Sequence, residues 1–456
     1  MGVGQINSTI MRKICIHFQI NQPYLLRTYR FFDINQRSDY FDDYQNRYLT
    51  NRLSERCYRP ANALLLDLIE RFNDQVAFSF CLSESAISQF KEYAPDVLEG
   101  LQKLVKTGRV EITGTTFTHS LACLNSRASF EEQVRMQEKL IMETFGVKPV
   151  TFFNTEAIYS DEIGEWLYDM GYRVVLTEGA RHILGWKSPT YLYCNPYQVD
   201  EKLMLRSASL CDDITFRFED RSWCHFPLTA EKYLSFLKDI PESSPYINLY
   251  FDYDVLGDIH TKESGIFDFF SALCQQVAES SEFQFVKPED LLHEDTQTST
   301  LLIPWPISNS GDEKDTSEWV GNELQQEAFQ QLFKIEPLYH QSENEMAKLA
   351  WVRLQDAIHF NFMGTQWFPQ SSVKMRFDIY SSPYQAFIKE PSPATLKTLI
   401  ETCRREGAQV IFVQQEFDQR NAQLIADELG IEIVPINPLS HDWAEEMLRV
   451  ASALKH

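Results

Sequence analysis

Short apolar segments alternate with amphipathic segments along the first 300 residues of the chain. The apolar segments predict strands, namely ICIHFQI, QVAFSF, VEITG, VTFFN, RVVLTEG and YINLYFDY. Between them, stretches such as PANALLLDLIERF, APDVLEGLQKLVKTG and DEIGEWLYDMGY have the apolar spacing of helices. This alternation predicts an α/β fold in which helices cover a parallel sheet or barrel.

Polar side chains gather where the predicted strands end. Asn21, His119, Glu156 and Asp252 each follow or close such an apolar segment. In a closed α/β barrel the carboxyl ends of the strands share one face, where active sites form. We therefore expect these four side chains to lie near one another.

The pattern changes twice after the barrel-like region. Residues 319–363 have helical periodicity and few strand signals, and residues 389–456 read helix, strand, helix, strand, helix. We expect a barrel over residues 12–300, a helical bundle that completes the cleft over 301–388, and a small α/β appendage over 389–456. A piece as short as the appendage makes a thin core, so we expect it to serve for docking or self-association.

Composition narrows the possible partners. The 456 residues carry a formal net charge of -23, and 13% of them are aromatic. Such an acidic chain is a poor ligand for nucleic acids or anionic membranes, and no apolar run approaches the about 20 residues of a membrane span. The nine cysteines are scattered, and the start has no secretory signal pattern, so we expect reduced thiols and a cytoplasmic location.

Two carboxylates stand out from the strand ends. Asp252 lies in INLYFDYDVLGDIH and Glu156 in TFFNTEAIYSDEIGEWL. Either residue alone could belong to an acidic turn, cap a helix or bind a metal. A pair at ~5–5.5 Å can instead perform retaining glycoside hydrolysis, in which one group attacks the sugar and the other transfers a proton.

Several collinear motifs resemble glycoside hydrolase family 57, and within it the α-amylase-like members. The motifs fall between residues 12 and 388 and include FQINQPYLLRTYRFFD, VEITGTTFTHSL, FFNTEAIYSDEIG, LTEGARHILGWKSPTYLYCN, DITFRFEDRSW, NLYFDYDVLGD, WVRLQDAIHFNFMGTQWF and SSPYQAFI. The resemblance implies a (β/α)7 barrel followed by a helical bundle, and a retaining enzyme of α-amylase or 4-α-glucanotransferase type without a cofactor. It assigns Glu156 as nucleophile and Asp252 as general acid/base. It implies an α-glucan or malto-oligosaccharide as the partner. We expect Asn21, His119, Trp223, Asp254 and His359 to form its binding site, Trp223 because it lies at the end of the motif DITFRFEDRSW.

The chain departs from the family pattern at several polar positions. Asn21 stands where a His is usual, Thr115 where a Glu is usual, and Ile358 where an Asp is usual. Such losses remove contacts to sugar hydroxyls, which discriminate strongly between substrates. The alternative function is therefore a degenerate homologue that binds α-glucan without efficient turnover.

Two further interpretations concern metals. His119, Asp252, Asp254 and His359 could be imagined as ligands, but no metal-binding spacing supports such a site, and we expect none. The tail VIFVQQEFDQRNAQLIADELGIEIVPINPLSHDWAEEM resembles the last part of metal-binding solute-binding proteins of ABC transporters. It has Gln414 and Asn437 where acidic ligands are frequent, so we expect no metal transport.

Overall fold

The computed structural model describes residues 11–27, 40–294 and 298–365 of the chain, together with residues 383, 386, 410–414, 426, 430 and 432–436. The strands of the amino-terminal part are β1 (Arg12–Ile20), β2 (Phe78–Leu82), β3 (Val110–Ile112), β4 (Phe152–Phe153), β5 (Val174–Thr177), β6 (Tyr193–Cys194), β7 (Lys202–Leu205), β8 (Tyr246–Asp252), β9 (Phe283–Phe285) and β10 (Ser299–Thr300). The six predicted strands are all present, as β1 to β5 and β8.

Seven of these strands form a ring. Strand β1 pairs in parallel with β2 and β8, β2 pairs with β3, and β5 pairs with β4 and β7. A parallel bridge between Gly114 and Phe152 joins β3 to β4. The Ser207 N–H donates to the Asn248 carbonyl (2.8 Å) and so joins the end of β7 to β8. The ring confirms the expected (β/α)7 barrel, although β7, with the short sequence KLML, was missed from the sequence.

Helices connect and cover the strands. Those of the barrel region are α1 (Asp43–Leu53), α2 (Arg59–Phe72), α3 (Glu84–Tyr93), α4 (Pro95–Lys106), α5 (Arg127–Phe145), α6 (Asp161–Met170), α7 (Arg181–Leu184), α8 (Ala208–Thr215), α9 (Ala230–Lys238) and α10 (Ile266–Ala278). Their starts follow local capping chemistry: Ser83 and Ser160 accept hydrogen bonds from the first turns of α3 and α6. These caps begin a helix soon after β2 and β4 end.

The residues of β1 alternate between two apolar environments. Ile14, Ile16, Phe18 and Ile20 pack outwards into the large core between strands and helices. Cys15 belongs to a second core cluster, which also contains Phe153 and Tyr250. His17 has the same parity as Cys15, and its ring lies 4.5 Å from that of Phe153 and 5.8 Å from that of Tyr250. The period of two therefore separates the wall of the barrel from its interior.

His17 is a core histidine, as its place within an apolar strand predicts. The side chain is fully buried, and its Nδ1 lies 3.0 Å from the Ser79 hydroxyl. Burial lowers the pKa of His17 to about 3, so the imidazole is neutral at physiological pH. The interior below the strand ends is thus apolar and uncharged at this point.

The region after the barrel is helical, as predicted. Its helices are α11 (Ser317–Val320), α12 (Glu323–Lys334), α13 (Glu336–Gln341), α14 (Glu345–Arg353) and α15 (Ala357–Asn361). Asn322 and Gln325 form a reciprocal capping box at the start of α12. Phe333 and Trp351 pack in an apolar cluster that also includes Ala122, which follows β3, so these helices contact the barrel.

The chain divides into two compact units. One contains residues 1–27 and 40–386, and the other contains residues 28–39 and 387–456. In the second unit, β11 (Val410–Gln414) and β12 (Glu432–Ile436) pair in parallel, as the tail pattern predicts. The predicted tail helices and most of the motif SSPYQAFI lie outside the described residues. Among the helices that are described, none is long and apolar enough to cross a membrane.

Candidate active site

The last inward positions of β1 and β8 are polar. Gln19 has the parity of Cys15 and His17, and Asp252 has the parity of the inward Tyr250. The register of the parallel pair places Gln19 directly beside Asp252. Gln19 is buried and Asp252 is exposed, so these two polar residues lie where the barrel interior meets solvent.

Glu156 lies in a tight turn directly after β4. The turn spans Thr155–Ala157, and Glu156 and Ala157 have left-handed backbone angles, with φ of 49° and 54°. This conformation is energetically unfavourable for residues other than glycine, and such strain is concentrated at functional sites. The side-chain oxygen of Asn154 accepts the Thr155 N–H (2.9 Å), and the Asn154 amide donates to the Ile158 carbonyl (2.9 Å), so the turn is fixed on both sides.

His119 comes from the loop after β3 and points at the same place. It is buried, has a φ of 55°, and its Nε2 lies 2.8 Å from Glu156 Oε1. The loop is locked to the Glu156 turn because the hydroxyls of Thr116 and Thr155 lie 2.7 Å apart. Thr155 also donates to the Ser120 carbonyl (2.9 Å).

Gln19 connects the two carboxylates. Its Nε2 donates to Glu156 Oε1 (3.3 Å) and to Asp252 Oδ1 (3.2 Å). Because one nitrogen atom serves both groups, the two carboxylate oxygens cannot be further apart than the sum of 3.3 and 3.2 Å. Two strand ends that are far apart in sequence are therefore brought to within the reach of one amide.

Asn21 and His359 meet around a buried carboxylate that the sequence analysis did not single out. Asn21 Nδ2 lies 3.3 Å from each oxygen of Asp356, and its Oδ1 accepts a hydrogen bond from Ser83 (2.7 Å). Asp356 is 1% exposed and precedes α15, which carries His359. Burial raises the pKa of Asp356, although His119, His359 and hydrogen bonds from Ile358 N–H and Asn21 act in the other direction.

The electrostatics of His119 reflect these neighbours. Burial acts to lower the pKa of His119, but the hydrogen bond to Glu156 and the charges of Glu156, Asp356 and Asp252 outweigh it. The pKa of His119 is consequently raised above its ordinary value. A protonated His119 would donate a charge-assisted hydrogen bond to Glu156.

A fourth carboxylate, Glu318, acts on the site from the helical region. Glu318, on α11, accepts a hydrogen bond from Asn361 (3.4 Å), and the Asn309 N–H donates to the Glu156 carbonyl (2.9 Å). Burial first, and then the charge of Glu156, raises the pKa of Glu318. The helical region thus contributes ionisable groups to the site, in addition to packing against the barrel.

The remaining acidic residues of the β8 end take different positions. Asp254 is buried in the turn Tyr253–Val255, and its carbonyl accepts the N–H groups of Asp258 and Ile259. Asp258 lies 3.6 Å from Arg52 and 3.7 Å from Arg56. Gly257 has a φ of 117°, and a Cβ there would lie 2.1 Å from the Arg56 carbonyl, so only glycine fits.

Trp223, the aromatic residue predicted to contact sugar, packs against the outer core of the barrel. Its ring lies 5.2 Å from that of His225 and 6.0 Å from the Arg217 guanidinium. Its role in sugar binding stays a prediction.

Gln19, Asp356 and Glu318 were missed from the sequence. Gln19 could have been found from the sequence, because it is a polar residue at the end of an apolar strand, at a position that faces the barrel interior. Asp356 and Glu318 had no such signal, since Asp356 directly precedes a short helix and Glu318 lies in one, and acidic residues are common at both kinds of position. Among the described residues, no group of three or more His, Cys, Asp or Glu side chains is arranged to hold a metal ion.

Comparison with known families gives two matches. The model described as glycosyl hydrolase family 57 matches residues 15–304. A second, described as zinc-uptake complex component A, periplasmic, matches residues 376–455, in line with the resemblance of the tail. A curated relative from Methanocaldococcus jannaschii, described as "Putative alpha-amylase", is 32% identical over 390 residues, which are 82% of this chain and 81% of the relative.

Solved structures share the fold at low identity. A GH57-type branching enzyme from Pyrococcus horikoshii superposes with a TM-score of 0.61 at 13% identity, over 92% of this chain and 95% of that one. A 4-alpha-glucanotransferase from Thermococcus litoralis superposes with a TM-score of 0.52 at 15% identity, over 83% of this chain. The chain spans 55% of the length of that glucanotransferase.

Proposed function

Because this chain belongs to glycosyl hydrolase family 57, we propose that it is a retaining enzyme that acts on α-1,4-glucans by double displacement. Glu156 is the proposed nucleophile and Asp252 the proposed general acid/base. The observation that carries the proposal is the bridge from Gln19 Nε2 to both carboxylates. Retaining enzymes hold the two groups about 5–5.5 Å apart and inverting enzymes about 6.5–9.5 Å apart. The bound that Gln19 sets between Glu156 Oε1 and Asp252 Oδ1 is compatible with the shorter spacing.

In the first step, a Glu156 oxygen attacks the anomeric carbon while Asp252 donates a proton to the glycosidic oxygen. The bond to the leaving sugar breaks, and an ester forms between Glu156 and the remaining sugar. Asp252 is exposed, as a group that must meet the leaving oxygen needs to be. Gln19 and His119 both direct hydrogen bonds at Glu156 Oε1, which orients the carboxylate for attack.

In the second step, Asp252 accepts a proton from the incoming hydroxyl, whose oxygen attacks the anomeric carbon and displaces Glu156. Negative charge returns to the Glu156 carboxylate as the ester breaks. The same two donors stabilise this charge where it develops. Water as the incoming group gives hydrolysis, and a sugar hydroxyl gives 4-α-glucanotransfer.

The competing proposal is a degenerate protein that binds α-glucan without efficient turnover. It would gain support if an apolar side chain filled the space between the carboxylates, and Ile259 is the candidate for that. Ile259 is 41% exposed, and the polar amide of Gln19 contacts both carboxylates. These observations favour the enzyme over the binding protein.

The test is incubation of the wild type and Glu156→Gln with maltoheptaose and with soluble starch, followed by chromatography of the products. We expect new oligosaccharides from the wild type and a loss of at least about 10³-fold in the variant, since a nucleophile is removed. Product lengths separate hydrolysis from transfer. If neither the wild type nor the variant gave products at high protein concentration, the proposal of an enzyme would be contradicted. Titration calorimetry with maltoheptaose would then test whether the protein binds the sugar.

A further inference from the structure

Asp356 is a buried carboxylate that the proposed double displacement does not use. It is 1% exposed, and it accepts hydrogen bonds from the Ile358 N–H (3.0 Å) and from Asn21 Nδ2. Burying an acidic group is costly unless it is well paired. This chain nevertheless has a buried acidic group at Asp356, two positions before Ile358, where the family usually has an Asp.

The backbone ties Asp356 to the loop that carries His119. Ser120 and Asp356 form an antiparallel bridge, and the Ala357 N–H donates to the His119 carbonyl (3.0 Å). His119 is therefore held in its left-handed conformation from the side of α15. From there its Nε2 reaches Glu156 Oε1 at 2.8 Å.

We propose that Asp356 is a positioning residue for the candidate nucleophile, and that it acts through His119. Its backbone is bonded to the loop that carries His119, and its negative charge favours the protonated imidazole that is directed at Glu156, while Asn21 fixes the carboxylate against Ser83. This inference rests on the proposed function only for its catalytic consequence, because the effect of Asp356 on the His119 imidazole can be tested in a protein without turnover.

The charges around His119 support a role of Asp356 in keeping the imidazole protonated. The negatively charged groups that act on the imidazole are Glu156 from the turn after β4, Asp252 from β8 and Asp356 from the start of α15. Glu318 in turn acts on Glu156, and His359 acts on Asp356. Glu156 and Asp252 change their charge or bonding during the proposed reaction, whereas Asp356 is buried and takes no part in either step. Asp356 can therefore act on His119 in the same way through both steps.

A charged donor at this place would matter most in the second step. The glycosyl ester breaks as negative charge returns to Glu156, and a charge-assisted hydrogen bond stabilises that charge more than a neutral one does. Loss of Asp356 should consequently slow turnover more than it weakens substrate binding.

The variant that isolates the charge is Asp356→Asn. The new amide can still accept the Ile358 N–H, and it can pair with Asn21 if that amide turns over and donates to the Ser83 hydroxyl. The matched control is Glu111→Gln, the same change at a carboxyl group that is also buried but bonds Thr151 and Glu289 instead.

The first measurement is an NMR titration of the imidazole resonances, with His119→Gln used to assign the His119 signal. We expect His119 to lose its proton at a lower pH in Asp356→Asn than in the wild type, and at an unchanged pH in Glu111→Gln. A His119 titration in Asp356→Asn that superposes on the wild type would overturn the proposal, whatever the effect on stability.

The second measurement is the pH profile of kcat and KM on maltoheptaose. Above the lowered His119 midpoint we expect kcat to fall on the order of tenfold, with KM changed by no more than about twofold. A fall in kcat that is equal at every pH would point to a merely structural role and would overturn the proposal. Absence of activity in the wild type would count against the proposed function alone, because the NMR titration decides the role of Asp356.

Discussion

Two carboxyl groups of the barrel, the buried Glu111 and the partly exposed Glu156, show how differently one residue type can be used. Glu111 lies within β3, is 5% exposed, and accepts hydrogen bonds from the Thr151 hydroxyl and the Glu289 N–H. Glu156 follows β4, and its side chain is 26% exposed. Glu111 joins β3 to Thr151 and to the segment at Glu289, whereas Glu156 lies at the proposed substrate site.

Burial and donors explain the difference. Burial raises the pKa of Glu111 to about 8, so it is largely protonated at neutral pH and is bound by neutral donors. Glu156 keeps a path to solvent and receives hydrogen bonds from Gln19 and His119, which suit a carboxylate. The comparison teaches that solvent access and the type of donor, more than the presence of a carboxyl group, distinguish a reactive site from a structural one.

The largest effect should come from separating the two catalytic roles. Asp252→Asn should reduce the release of sugar from maltoheptaose by at least about 10³-fold, because the leaving oxygen receives no proton. With an α-maltosyl fluoride the first step needs no proton donor, so the variant should form the glycosyl ester at a rate close to the wild type. Rapid-quench mass spectrometry of the protein would detect that ester.

Glu156→Gln is the control for this separation, since it should form no ester with either substrate. If Asp252→Asn and Glu156→Gln were equally inert towards the fluoride, the assignment of Asp252 as acid/base would be wrong.

Gln19→Leu tests the bridge between the carboxylates and should have the next largest effect. The change keeps the volume of the side chain but removes the donor to Glu156 and Asp252. We expect kcat to fall about 10²-fold with a small change in KM, because the lost interaction orients the reacting groups. Steady-state kinetics on maltoheptaose give both parameters, and a thermal melt checks the fold. An unchanged kcat in a folded variant would show that Gln19 is only a core residue.

The smallest effect concerns the structural carboxyl group. The folded-state pKa of Glu111, about 8, lies above its ordinary value of 4.5, so its protonated form stabilises the protein below about pH 4.5. That contribution is lost as the pH rises towards 8, by on the order of 4 kcal/mol. The Glu111→Gln side chain cannot ionise, so the free energy of unfolding of this variant should decrease less between low pH and pH 8.

Urea unfolding of the wild type and Glu111→Gln at pH 5 and pH 8 measures the difference. Catalytic activity of the variant should match the wild type. Parallel stability curves would show that Glu111 is already ionised in the folded protein.

Much of the barrel could be predicted from local patterns. The alternation in ICIHFQI and YINLYFDY sets which side chains face inwards, because successive residues of a strand point to opposite sides. The polar ends of these strands predicted one shared face, and the structure brings Asn21, His119, Glu156 and Asp252 together there. Strand β7 escaped prediction because KLML is too short to show a period.

The sequence by itself determined which residues carry ionisable groups, and at which strand ends they lie, because these properties depend on neighbours along the chain. Only the tertiary structure decided the partners: the register of β1 on β8 that places Gln19 between the carboxylates, and the arrival of Asp356 and Glu318 from helices. These contacts join residues more than 130 positions apart, and their energies depend on burial and distance, which one-dimensional spacing does not contain.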